Sequence, residues 1–130
     1  MIDWTPLLGI PYAAADCRAI VGMGLDLLCF RLRNRAEFDA APASLAGYAK
    51  YLADGGDDWV YRGAWPVRDI EIGDVVVCVS GDPPEQNAHL ALIIDTDRGR
   101  ALTTLAHAGS SILPIRAIPG QKSVWRLACK

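Results

Sequence analysis

Apolar and polar positions along the chain change period near its middle. Ile20 and Val21 open an apolar run that continues through Leu25, Leu27, Leu28, Phe30 and Leu32, which predicts a helix from residue 17 to about 32. Asp16 is its N-cap, because its carboxylate can accept from the free N–H groups one turn on. Gly22 and Gly24 weaken such a helix and so mark close packing, while Arg31, Arg33 and Arg35 end it where positive charge is favoured. A short helix over 2–9, with Asp3 as cap and Pro6 in its first turn, precedes it. A further helix starts at Pro42-Ala43-Ser44, with Leu45, Tyr48, Ala49 and Leu52 at helical spacing, and Gly55-Gly56-Asp57-Asp58 breaks it. Residues 54–69 read as irregular. From Gly73 onward short apolar runs at 75–79, 90–94, 101–105, 111–115 and 124–127 alternate with turn residues such as Gly81-Asp82-Pro83-Pro84 and Pro119-Gly120. Close spacing of that kind predicts an antiparallel sheet, and helices followed by strands predict an α+β fold.

Composition narrows the class. A chain of 130 residues fits one domain, 1–130, and 52% hydrophobic with 22% charged residues makes it globular. A net charge of −2 gives no basic patch for nucleic acid. No stretch of about 18 apolar residues predicts a membrane span. The start, Met1-Ile2-Asp3-Trp4, lacks the basic and apolar segments of a signal peptide. There is no internal repeat, low-complexity segment or Gly-rich phosphate loop.

The four cysteines are Cys17, Cys29, Cys78 and Cys129, with no Cys-x-x-Cys pair, so neither a zinc site nor another cofactor is implied. An even count allows two disulfides, which a chain this apolar does not need. Cys29 and Cys78 lie within apolar runs and read as core, and Cys129 as a bystander. Cys17 is different. It stands at a predicted helix N-terminus, and the two histidines, His89 and His107, lie in strand-like runs downstream. A helix N-terminus and an imidazole are two devices that favour a thiolate, and nucleophile, base and orienting group are the parts of a cysteine hydrolase site.

Three motifs resemble the NlpC-type family of papain-like cysteine peptidases. Leu8-Gly9-Ile10-Pro11-Tyr12 followed by Asp16-Cys17 is similar to the family's turn and nucleophile-bearing helix start. Ile72-Gly73-Asp74-Val75-Val76-Val77, a loop, and His89-Leu90-Ala91-Leu92-Ile93-Ile94 resemble its Gly-Asp-led strand and the strand that begins with the catalytic His. Leu105-Ala106-His107-Ala108 is similar to the strand end carrying the third polar residue. Two departures stand out: Ala13-Ala14-Ala15 replaces a Trp-Gly-Gly-type loop, and Arg18-Ala19 follows the cysteine where the family has small residues.

The resemblance implies a papain-like α+β fold, N-terminal helices packed on a C-terminal antiparallel sheet. It implies Cys17 as nucleophile, His89 as base and His107 as orienting group, cutting an amide in the peptide stem of bacterial peptidoglycan. Without a signal in this sequence, delivery is expected by a phage tail, a secretion machine or lysis, or else by a leader outside it. Two readings stand for Tyr12, a hydroxyl beside the nucleophile or a packed ring. Arg18 either meets a substrate carboxylate or fills substrate space. Trp59, Tyr61 and Trp65 are either core lids or a groove wall. Thioester acyl transfer to a small amide or lipid, non-catalytic cell-wall binding, and a structural role in a phage tail or secretion particle are the rival functions.

Overall fold

The computed structural model describes residues 2–33, 35–40, 51, 59–81, 87–105 and 108–128. Helix α1 spans Cys17–Leu27 and α2 spans Arg35–Ala40. The strands are β1 (Trp59–Ala64), β2 (Val75–Ser80), β3 (Asn87–Asp95), β4 (Arg100–Leu105), β5 (Gly109–Pro114) and β6 (Gln121–Leu127). They form one six-stranded sheet in the order β1-β6-β2-β3-β4-β5, every neighbouring pair antiparallel.

Both faces of the central strands are covered, which is why β2 and β3 are apolar at successive positions rather than alternating. On one face Cys17, Ile20, Val21 and Leu25 of α1 pack on Val75, Val77, Leu90, Leu92 and Leu102. On the other, Val76, Cys78, Ala91, Ile93, Ala101 and Val124 pack with Ile115 and Ile118, which belong to a 3-10 turn and the residues after it. Gly24 is a packing site, as expected. A Cβ there would collide with Leu92 and lie 3.3 Å from Leu102, so its absence lets α1 settle onto β3 and β4.

The expected papain-like α+β arrangement is not what the chain builds. The main body is the antiparallel sheet, and among the described residues α1 and α2 are short, eleven and six residues. Three features account for the difference. Cys29 takes a left-handed φ of 60° and ends α1 five residues before the predicted limit. The start of the chain makes one 3-10 turn, Thr5–Leu7, because Asp3 accepts from the Thr5 N–H rather than capping a longer helix. Residues 59–64, read as irregular, join the sheet as edge strand β1 with a register shift beside Gly63. The helix predicted from 42 lies outside the described residues except at Tyr51, which is helical.

The Gly73-Asp74 pair shapes the entry to β2. Gly73 has φ +98°, and the Phe30 ring occupies the space its Cβ would need. Its N–H donates to the Ile93 carbonyl at 2.9 Å, and the Asp74 carbonyl accepts from Ile93 at 2.8 Å. At the other end of the sheet the leading segment is tied to β5. The Gly9 N–H donates to the Ser110 carbonyl at 2.8 Å, Ser110 N–H to the Ile10 carbonyl at 2.9 Å, and Ile10 N–H to Ser110 Oγ at 2.8 Å. These bonds fix where the Pro11–Ala15 turn enters α1.

Candidate functional site

Cys17 is the first residue of α1 and is fully buried. Asp16, in extended backbone conformation, caps the helix by accepting from the Ala19 N–H at 2.9 Å. The cap and the apolar face behind it drive the Cys17 side chain into the sheet. There the Leu90 N–H donates to Cys17 Sγ at 3.4 Å. The sulfur therefore meets the peptide that follows His89.

The reason lies in where β3 and β4 separate. Their pairing includes Ile93↔Ala101 and Leu92↔Leu102 and does not extend to Leu90. The Leu90 carbonyl accepts instead from Thr103 Oγ1 at 2.7 Å. N–H and C=O of one strand residue point to the same side, so both Leu90 groups face the gap toward β4. The sulfur occupies the place of a ladder acceptor and the Thr103 hydroxyl that of a ladder donor.

His89 is half-buried and pairs with Cys78 across β2 and β3, which sets its side chain with Cys78 on the face of the sheet opposite α1, so the residues expected as nucleophile and base lie on opposite faces. Its Nδ1 is buried and has no hydrogen-bond partner among the described residues. A polar ring atom in that state needs a partner to keep one tautomer. His107, expected to supply that partner, lies outside the described residues. Cys78 is fully buried, and burial above all, with the nearby Cys17 adding to it against Lys122, pushes its thiol up to about 11. Cys17, Cys29 and Cys78 are free thiols, and Cys29 is exposed rather than the core residue expected.

Tyr12 sits in the turn that leads into α1, where Ala14 and Ala15 both donate to the Pro11 carbonyl at 2.9 and 3.1 Å. Burial, followed by the proximity of Cys17 and Asp16, raises its hydroxyl above its ordinary value. The phenol thus stays neutral at physiological pH. Arg18 turns along the helix start. Its guanidinium donates to the Asp39 carbonyl and lies 3.8 Å from the Asp16 carboxylate.

The three aromatics do not line one groove. Trp59 is core, its Nε1 donating to the Tyr51 hydroxyl at 2.6 Å. It borders a packing void of about 10 Å³ with Phe38, Val77 and Leu90, room for about one water. Tyr61 is 54% exposed and leans on Trp125 at 5.0 Å between ring centroids. Trp65 packs on the opposite core and borders an open groove of about 400 Å³ with Gln121 and Lys122. Among the described residues no group of three or more His, Cys, Asp or Glu could hold a metal ion, and no helix is long and apolar enough to cross a membrane.

Sequence reasoning missed three contributors: the Leu90 amide, Thr103 and Cys78. The adjacent hydroxyls of Thr103-Thr104 inside an apolar strand were the visible signal for one of them. Cys78 becomes a neighbour of the histidine only through strand register. No known family model and no curated protein matches this chain.

Proposed function

We propose that the chain is a cysteine hydrolase acting on an amide in the peptide stem of bacterial peptidoglycan. The observation that carries the reading is the buried thiol of Cys17 at the capped start of α1, accepting from the Leu90 N–H. In this reading Cys17 attacks the amide carbonyl as a thiolate and forms a thioester, and the leaving amine takes up a proton; the family resemblance alone assigns His89 as its donor, because the strand register sets the imidazole on the other face of the sheet. Water then attacks the thioester and regenerates the thiol. His107 is assigned to orient His89, and Tyr12 is the neutral donor beside the reacting carbonyl. The similarity of the Pro11-Tyr12, Asp16-Cys17, Gly73-Asp74 and His89 motifs to NlpC-type peptidases supports the substrate class. The bond proposed is the one between the D-glutamate side-chain carboxyl and a diamino acid.

The test is incubation of the protein with synthetic tetrapeptide stems and with purified peptidoglycan, new amines being read by mass spectrometry. Release by the wild type, abolished in Cys17→Ala and His89→Ala, is the expected result. No release from either substrate, with Cys17 still alkylating, would move the assignment to acyl transfer.

A further inference from the structure

We infer that Thr103 is a positioning residue for the thiol: its hydroxyl takes up the Leu90 carbonyl, so that of the two Leu90 backbone groups it is the N–H that serves the sulfur of Cys17. The inference deepens the hydrolase reading and rests on Cys17 being the nucleophile.

Continuing the β3–β4 register beyond Leu92↔Leu102 would set Leu90 against Thr104, with both Leu90 polar groups taken by backbone partners. The strands part instead. Thr103 is fully buried, and its Oγ1 donates to the Leu90 carbonyl at 2.7 Å, the ordinary length for a hydroxyl on a carbonyl. A side-chain donor reaches farther than a backbone one, so the gap stays open wide enough to admit a sulfur. The polarity of the gap follows. With the Leu90 carbonyl accepting from Thr103, the Leu90 group that meets Sγ is its N–H donor at 3.4 Å. A donor in a dry site favours a thiolate over a thiol, whereas a bare carbonyl would oppose it. Valine has nearly the shape of threonine but no donor, so it would leave the carbonyl facing the sulfur. The other titratable groups around this gap are Asp16 and Arg18 on α1, Tyr12 in the preceding turn, Cys78 on β2 and His89 on β3. None of them changes in the test.

The experiment is iodoacetamide alkylation of Cys17 against pH, resolved by peptide mass spectrometry, in wild type, Thr103→Val and Thr103→Ser. Because Cys17 is buried, the plateau rate reads opening of the site and the pH midpoint reads thiolate formation. Thr103→Val should move the midpoint up by about one pH unit, the displacement expected from losing one hydrogen bond to an anion. Thr103→Ser, which keeps the donor, should stay within about 0.3 unit of wild type. A folded Thr103→Val with an unmoved midpoint overturns the inference while leaving the nucleophile reading intact. A wild-type Cys17 that is not alkylated anywhere below pH 9 overturns that reading, and the inference with it. A measurement that needs no variant is the Leu90 amide resonance, which should follow the Cys17 titration in the wild type. A flat Leu90 resonance across that titration also overturns the inference.

Discussion

Arg126 closes on both carboxylate oxygens of Asp74, Nε on Oδ1 at 2.9 Å and a terminal nitrogen on Oδ2 at 3.0 Å. The carboxylate is fully buried and also accepts from the Glu71 N–H at 2.9 Å. Hydrogen bonding to Asp74 holds the guanidinium above its ordinary pKa, with Glu71 and Asp69 adding to the field. The pair joins the start of β2 to β6, which are neighbours in the sheet and far apart in sequence. The Gly-Asp motif therefore has a structural use here: it seats a ring at Gly73 and a two-pronged ion pair at Asp74.

Removing the Asp74 charge takes the two-pronged bond from Arg126 and leaves it the Glu71 and Asp69 carboxylates. Asp74→Asn should destabilise the fold by about 1.5–3 kcal/mol. Urea unfolding would read this as a lower midpoint at unchanged slope.

Cys29 occupies a seat made for glycine. The Phe30 N–H bonds the Leu25 carbonyl and the Cys29 N–H the Asp26 carbonyl, both at 2.9 Å, the two-bond stop that ends many helices. Cys29 pays for its φ of 60° in strain that glycine would not have. Cys29→Gly should raise stability by about 0.5–1 kcal/mol, measurable as a higher melting temperature.

Adjacent threonines should respond with opposite signs. Thr104 is as buried as Thr103, yet its Oγ1 has no hydrogen-bond partner among the described residues. Thr104→Val removes an unmet polar group and should stabilise by about 1 kcal/mol, whereas Thr103→Val removes a bonded one and should destabilise by a similar amount. Equal shifts in one direction from paired denaturation curves would contradict the assigned hydrogen bonds.

Cys78 sets an alkaline limit. The folded chain holds its proton up to about 11, against an ordinary value of 9.0. Between those values the unfolded state binds fewer protons than the folded one, so stability falls as pH rises, and below pH 9 the effect vanishes. In Cys78→Val this part of the slope between pH 9 and pH 11 should disappear, as equilibrium unfolding at stepped pH would read.

The sheet was largely legible because its buried strands are continuous apolar runs bounded by turn residues. Predicted strands at 75–79 and 101–105 match β2 and β4 to within a residue. The Asp16 cap and Cys17 at the first helical position were also readable, since capping is a local effect. What failed depended on partners distant in sequence. β1 carries polar and aromatic residues at an edge and becomes a strand only through β6. The early end of α1 had no glycine to announce it. At the site, the residue types Cys17 and His89 were visible. What the Cys17 sulfur meets was not, because its place beside the Leu90 amide is created by the parting of β3 from β4 and by Thr103, and neither leaves a mark in local periodicity.

The strand order imposes a schedule on synthesis. β6 lies between β1 and β2, and β1 touches no other strand of the sheet. While the ribosome is still making residues before 121, Trp59–Ala64 has nothing to pair with, and the Val75-Val76-Val77-Cys78-Val79 edge is bare on one side. Such an edge recruits other chains as readily as its own. The β2–β5 part can assemble as it emerges, but the nascent protein stays adhesive until its last strand slides into the middle of the sheet.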